Sequence, residues 1–222
     1  MLGIFFILLL TLISLIPIYI VRNNDKIIKI IVGWYSFGLG VGYIEFCMFI
    51  NQNYLTSDAC PINNNTNWYL YDYPIYNLVS TKIWADAWKE YCIQSGDFRY
   101  LETMKFDFVP WIEFCNAILA YLFGIIILYG IITKQVKYLH IMLLILIVSC
   151  VQIYGTIIYF VSYFSKCYYK LDSINLLWFI HLIGMNGLWI IFPIILINHS
   201  IKYIIYYHNR INRYESILIT NN

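Results

Sequence analysis

The sequence of 222 residues has few charged side chains, which make up only 12% of it. A typical soluble domain carries about 25% charged residues, so roughly half of the usual charge is missing. Hydrophobic residues account for 61% and aromatic residues for 19%. This composition excludes a soluble enzyme, a secreted module held by disulfides and a disordered chain, because all three need more polar or cysteine-rich sequence.

The chain also lacks the residue patterns of several functional classes. Its 14 basic and 12 acidic residues leave a net charge of +2, without the basic patch that nucleic acid binding requires. The six cysteines are scattered rather than closely paired, so we predict no metal and no cofactor. Cys60 and Cys92 share one polar segment and are candidates for a disulfide, although spacing alone leaves the connectivity open.

Five apolar runs are each long enough to cross a bilayer, which takes roughly 20 helical residues. They cover residues 4–21, 27–50, 111–133, 139–164 and 174–206. The short connections between the last three runs favour antiparallel neighbours. We therefore predict an all-α integral membrane protein, a five-transmembrane-helix bundle with a long polar loop between helices 2 and 3.

The apolar runs divide the chain into three parts. Residues 1–26 comprise the first transmembrane helix, which lacks the basic start and cleavage site of a signal peptide, and a short polar break. Residues 27–206 comprise a four-helix membrane domain, and residues 207–222 comprise a short polar C-terminal tail. Four glycines in the second run, at 33, 38, 40 and 42, predict that neighbouring helices approach it closely.

The distribution of basic residues predicts the orientation of the chain. The short segments beside Lys26, Lys134 and Lys202 carry more Lys and Arg than the opposite side, where most basic residues fall in the long loop. This pattern places the N-terminus on the lumenal side and the C-terminus in the cytosol. The acceptor pattern at Asn64 fits a lumenal loop, although such short patterns are common in Asn-rich sequence.

Three ionisable residues lie inside the predicted spans, where such groups are costly and indicate function. They are Glu45 in the second span, Glu113 in the third and His181 in the fifth. Asn186 and Trp189 follow on the fifth span, and each polar residue alone is compatible with an ordinary hydrogen bond between helices. Together they predict a buried pocket with acid–base capacity.

Several short segments, in order along the chain, resemble the emopamil-binding protein family, whose shared domain is called EXPERA. They are Trp88-Lys-Glu-Tyr91, Gly96-Asp97-Phe98-Arg99-Tyr100, Glu113, Gln152-Ile-Tyr-Gly155, and Met185-Asn-Gly-Leu-Trp189 with Pro193. The family comprises sterol 8-ene to 7-ene isomerases of the endoplasmic reticulum membrane and non-enzymatic relatives. The resemblance extends from about Trp34 to Ile201, which is four of the five spans.

The resemblance implies a pocket that opens to the bilayer and takes a sterol or a lipophilic amine. Glu113 matches the family's catalytic glutamate, and Glu45 corresponds to its second-span glutamate. The candidate catalytic residues are Glu113, Glu45, Asn186, Trp189 and His181. The candidate substrate-binding residues are Met185, Asn116, Tyr100, Arg99 and Asp97. The candidate partners are the sterol or amine, the lipid bilayer and a second copy of the chain in a homodimer.

One departure from the family leaves two functions open. The isomerases carry a second-span His four residues before the glutamate. If Glu45 is that glutamate, the His position holds Val41. Ungapped counting instead puts Gly42 at the His position and Phe46 at the acid's position. An isomerase with a rearranged base, for which His181 is the substitute, would protonate sterol carbon 9 and deprotonate carbon 7. The alternative is a catalytically silent protein that binds a sterol or an amphiphilic amine. The retained Glu113, Asn186 and Trp189 favour the enzyme, whereas the missing His favours the binder.

Overall fold

The computed structural model describes residues 2–21, 25–52, 80–85, 109–165, 176 and 179–220; for 2–7, 109–110, 181 and 214–220 it describes the backbone alone. Every regular element within these ranges is a helix. Helix α1 is Leu2–Ile20 and α2 is Lys26–Ile50. Helix α3 has three consecutive pieces, Val109–Leu119, a π-helical turn Ala120–Gly124, and Ile125–Thr133. Helix α4 is Tyr138–Ser165, and α5 joins a π-helical turn Phe179–Met185 to Asn186–Thr220.

Four of these helices are long and apolar enough to cross a membrane. The qualifying segments are Lys26–Ile50, Trp111–Thr133, Tyr138–Ser165 and Leu182–Arg213. The corresponding part of α1, Leu8–Ile20, is a shorter apolar helix, so a fifth crossing stays a prediction. The prediction of a helical, multi-pass membrane protein is therefore confirmed, but the count of five is not. The long polar loop falls mostly outside the described residues.

Polar groups at the helix ends define where the helices begin and end. The Asp25 carboxylate accepts a hydrogen bond of 3.0 Å from the Ile27 amide and so caps the first turn of α2. The Asn51 side chain closes the other end by donating to Cys47 O at 2.8 Å. Helix α3 ends at Lys134, whose left-handed backbone (φ 58°) directs its N–H to Gly130 O. Four residues later, at Tyr138, α4 begins, so α3 and α4 form a tight hairpin.

Consecutive helices run antiparallel. Early α1 residues lie near late α2 residues, since Leu10 meets Gly40 while Ile18 meets Gly33. On the other side of the bundle, Ser200 of α5 reaches Met142 of α4, whereas Trp189 lies at the level of Gln152. The antiparallel arrangement predicted for the last three helices is thereby confirmed, and α2 lies between α1 and α3.

Glycines in α2 let its neighbours approach, as the sequence predicts, at three of the four positions. A Cβ built on Gly33 would lie 2.7 Å from the side chain of Ile18, and one built on Gly40 would lie 2.5 Å from the side chain of Leu10. A Cβ on Gly42 would meet α3 at 3.2 Å, whereas one on Gly38 would have nothing within 4 Å. Gly38 is therefore not required by a close contact, although it is buried.

Ile83, Trp84, Ala87, Trp88 and Tyr91 recur at helical spacing and predict an amphipathic helix at the membrane surface with its tryptophans at headgroup level. The structure describes this segment only at residues 80–85. Residues 81–85 are helical, and Ile83 and Trp84 are buried against Leu10, Ile44 and Cys47. The Trp84 ring meets Tyr43 edge-on at 5.5 Å. Trp84 therefore packs on protein, and its position at headgroup level stays a prediction. The rest of that predicted helix, including Trp88 and Tyr91, lies outside the described residues.

Candidate functional site: a buried carboxyl pair and an aromatic cluster

Two carboxyl groups meet between α2 and α3. The Glu45 side chain is 5% exposed, and its carboxyl lies within hydrogen-bonding reach of the Glu113 carboxyl, which is half-buried. Two ionised carboxylates can only accept hydrogen bonds, so a bond between them requires a proton on one of them. The pair is therefore able to hold a proton inside the apolar part of the bundle. Its members were both predicted from sequence, but their contact was not.

Small residues bring this pair together. Gly42 lies one turn before Glu45, and a Cβ there would come within 3.2 Å of Ala120 Cβ and 3.4 Å of Ala117 Cα. Ala117 in turn lies one turn after Glu113, as the antiparallel register requires. Close approach of the two backbones at small residues is a common way for membrane helices to pack. Because the two backbones are so close, the side chains of Glu45 and Glu113 are long enough to reach each other.

The same packing explains why no histidine occupies this part of α2. An imidazole at position 42 would overlap α3, because even a methyl group is tightly accommodated there. Val41 points elsewhere, since it packs on the cluster of Leu10, Ile44 and Trp84. Phe46 is 41% exposed, whereas Glu45 is buried. The buried position therefore agrees with a one-residue shift of the alignment that puts Glu45, rather than Phe46, at the family's acid position.

Trp189 belongs to an aromatic cluster shared by α2, α4 and α5. Its ring meets Trp34 edge-on at 4.8 Å, and Trp34 stacks on Phe192 at 4.7 Å with an interplanar angle of 15°. The Trp34 Nε1–H donates to Gln152 Oε1 at 3.4 Å, which orients the indole. Trp34 and Glu45 are three helical turns apart and share one face of α2, with their backbones separated by roughly 16 Å along the axis. The backbones of Trp34 and Glu45 thus lie at different depths of α2.

Asn116 and Asn186 lie on α3 and α5 respectively. The Oδ1 of Asn116 would be 3.8 Å from a Cβ on Gly155, so this amide lies between α3 and α4, one turn after Glu113. The Nδ2 of Asn186 donates to Leu182 O at 2.8 Å, within its own helix. This bond holds the amide close to α5, and a bond from Asn186 to Glu113 stays a prediction.

Helical spacing would put His181, Met185 and Trp189 along one stripe of α5, and this predicted stripe begins in a π-helical turn. Residues 179–185 form that turn, in which hydrogen bonds run from i to i+5 rather than i+4. The stripe stays a prediction. Met185 is half-buried at the end of the turn, whereas the side chain of His181 lies outside the described residues. Asp97, Arg99 and Tyr100 of the loop motif also lie outside them.

Both π-helical turns adjoin candidate residues. The turn at Ala120–Gly124 follows Asn116 and Ala117, and the turn at Phe179–Met185 ends immediately before Asn186. Such turns are rare in proteins overall, but those that occur are often at functional sites, where they change the direction of the side chains that follow. Sequence periodicity carries no signal for them. The role of Trp34 was also missed, because a single indole in an apolar run looks like core.

The described residues offer acid–base and aromatic groups but no metal-binding cluster of three or more His, Cys, Asp or Glu. The arrangement can hold and transfer a proton at the carboxyl pair. It can also present the half-buried Trp189 indole to a ligand, whereas Trp34 is buried between Trp189 and Phe192.

Comparison with known families places the chain in a membrane-protein superfamily. The family model EBP, described as EXPERA (expanded EBP superfamily), matches residues 83–200, slightly more than half of the chain. The matched range contains Glu113, Asn116, Asn186 and Trp189 but leaves out Glu45 and the rest of α2. No curated protein matches the chain at a significant level.

Proposed function

We propose a sterol-isomerase function for this chain, which belongs to the EXPERA (expanded EBP) superfamily. In this proposal the protein binds an 8-ene sterol between its helices and moves the double bond from 8(9) to 7(8). The observation that carries the proposal is the contact of Glu45 with Glu113. A double-bond shift needs one proton delivered and one removed, and a carboxyl pair with a shared proton is suited to both steps.

The reaction begins when Glu113 gives its proton to carbon 9 of the sterol. The two electrons of the double bond form the new C–H bond, leaving a tertiary carbocation at carbon 8. A base then removes a proton from carbon 7, and the electrons of that C–H bond form the 7(8) double bond. No net proton is consumed. His181 is the proposed base that accepts the carbon 7 proton, and Glu45 passes a proton back to Glu113, which restores the acid.

Two further features support the carbocation. The Trp189 ring can stabilise positive charge by cation–π attraction, worth about 2 kcal/mol or more when desolvated. The apolar surroundings of Glu45 exclude water, which would otherwise capture the cation. A lipophilic ammonium compound would imitate the same charge and compete for the site.

A second candidate function is that of a silent binding protein for sterols or amphiphilic amines. The residue four positions before Glu45 favours it, because Val41 stands where the isomerases carry their histidine and packs on the cluster of Leu10, Ile44 and Trp84. Under this reading the carboxyl pair binds the ligand's ammonium or hydroxyl group without turnover. Retention of the acid pair would then reflect binding rather than proton transfer.

Expression in a yeast strain deficient in sterol isomerase distinguishes the two functions. An isomerase restores 7-ene sterols in the sterol profile, whereas a binder leaves 8-ene sterols accumulated. The Glu113→Gln variant is the matched negative control, since its amide has the same shape but no acidic proton. Amine binding by a protein without conversion would replace the isomerase proposal with the binder.

We further propose that the protein resides in the endoplasmic reticulum membrane with its N-terminus lumenal and its C-terminus cytosolic. Glycan removal should then increase the electrophoretic mobility of the wild type but not of an Asn64→Gln variant. Cleavage of the 51–110 segment by protease in intact microsomes, with the C-terminus protected, would reverse the assigned orientation.

A further inference from the structure

A cleft of about 800 Å³ lies at the end of the bundle where α3 turns into α4, remote from the carboxyl pair. Its walls are apolar and come from four helices, including Val21 beside the end of α1, Ile28 of α2, Ile131 of α3 and Ile141 of α4. Lys134 and Lys137 line it as well and are exposed. Among the described residues that line the cleft none is acidic. The cleft therefore combines an apolar interior with two positive charges.

The backbone of this region also favours an anion. Helix α4 spans 28 residues, begins at Tyr138 beside the cleft and has no acidic residue in its first turn. The unsatisfied amides and the dipole of a helix N-terminus attract negative charge. Asp25, the acidic residue close to Tyr138, caps α2 and is not among the residues that line the cleft.

We propose that this cleft binds an anionic glycerophospholipid, with the phosphate on Lys134 and Lys137 and the start of an acyl chain against Ile28, Ile131 and Ile141. Both lysines lie on the proposed cytosolic side, where bilayers present anionic headgroups. Apolar walls and paired cations match the two chemically different ends of such a lipid. The site also gives α1 a function, because its C-terminal end supplies one wall and lies outside the family match.

The test uses the full chain, purified in a zwitterionic detergent, and dioctanoyl phosphatidic acid as the probe. Binding is measured by native mass spectrometry and by the rise in the thermal unfolding midpoint. The proposal expects at least tenfold weaker binding of dioctanoyl phosphatidylcholine, which carries no net charge, and of glycerol 3-phosphate, which has no acyl chain. Equal binding of the phosphatidylcholine would overturn the role of charge. Equal binding of glycerol 3-phosphate would identify a simple anion site and overturn the lipid assignment.

A pair of double variants tests the lysines. Lys134→Gln with Lys137→Gln should weaken binding of the phosphatidic acid by roughly 30-fold, since each basic residue near a membrane surface contributes about 1 kcal/mol. The control Lys26→Gln with Arg213→Gln removes two charges that do not line the cleft and should leave binding unchanged. Loss of the same size in the control would show general surface attraction and reject the site.

A further variant guards against a folding defect. Lys134 has a φ of 58°, a region that Asn tolerates, so Lys134→Asn with Lys137→Gln keeps the end of α3. Its lipid-free unfolding midpoint should equal that of the wild type while its lipid binding falls. If this variant binds the lipid as tightly as the wild type does, the site is rejected. If both lysine variants misfold, the comparison of the three ligands on the wild-type protein still decides the proposal.

Discussion

At the α2–α3 contact the backbones approach closely because Gly42 faces Ala117 and Ala120, and the polar pair of Glu45 and Glu113 lies beside them. Three turns earlier on α2, large rings fill the space instead, with Trp34 between Trp189 and Phe192. One region holds a proton between small residues, and the other offers aromatic faces. The contrast indicates that the acid–base groups and the aromatic groups are positioned by different contacts of the same helix.

The largest effect should come from the carboxyl pair. Replacing Glu113 with Gln should lower 8-ene to 7-ene conversion by about 10²–10⁴-fold, the usual contribution of a general acid. Amine binding through the aromatic cluster should fall much less, because the rings are unchanged. Sterol profiling of the complemented yeast strain and ligand titration measure the two effects. Equal losses of conversion and binding would mean that the two regions act as one site.

A smaller or equal effect is expected from His181, the proposed base on α5. The His181→Phe variant keeps an aromatic ring without a proton acceptor, so conversion should fall by up to about 10²–10⁴-fold while amine binding persists. The same assay and titration apply, with the unfolding midpoint as a check on folding. Full activity in this variant would remove His181 from the mechanism and leave both proton transfers to the carboxyl pair.

A substitution at Trp189 tests the role of the aromatic cluster in ligand binding. Trp189→Leu should weaken binding of a lipophilic tertiary amine by roughly 1–2 kcal/mol, the size of a desolvated cation–π contact. The matched control is Trp111→Leu, because the Trp111 side chain is 56% exposed on the outer surface of α3. A competition assay in membranes measures both. Unchanged affinity in Trp189→Leu would assign the ring to packing alone.

The smallest effect concerns the close helix contact. Gly42→Ala should lower the free energy of unfolding by about 1 kcal/mol, because overpacking forces the backbones apart. Gly38→Ala is the matched control, since a Cβ there meets nothing within 4 Å and Ala favours the helix. Thermal unfolding in detergent compares the two variants. Equal stability in both would show that the α2–α3 contact tolerates a wider spacing.

Sequence reasoning found many elements of the candidate site because each leaves a local signal. Glu45 and Glu113 stand out as acids within apolar runs, and burial agrees with the choice of Glu45 over Phe46. The stripe through His181, Met185 and Trp189 stays a prediction, because it assumes α-helical spacing and its first part lies in a π-helical turn. A π-helical turn depends on how a helix packs, so no residue pattern announces it. The role of Trp34 likewise depends on partners far away in the chain, Gln152 and Trp189.

The sequence by itself determined that this is a membrane protein and gave the approximate limits of its spanning helices. Apolar runs in a bilayer form helices because their backbone groups find no water to bond there and must bond to each other. The sequence also contained the motifs by which the chain belongs to its superfamily. Only the tertiary structure decided which polar groups meet. The contact of Glu45 with Glu113 depends on the register of α2 against α3, and that register depends on Gly42 fitting against Ala117 and Ala120. Such packing is a property of two helices together, so neither helix specifies it alone.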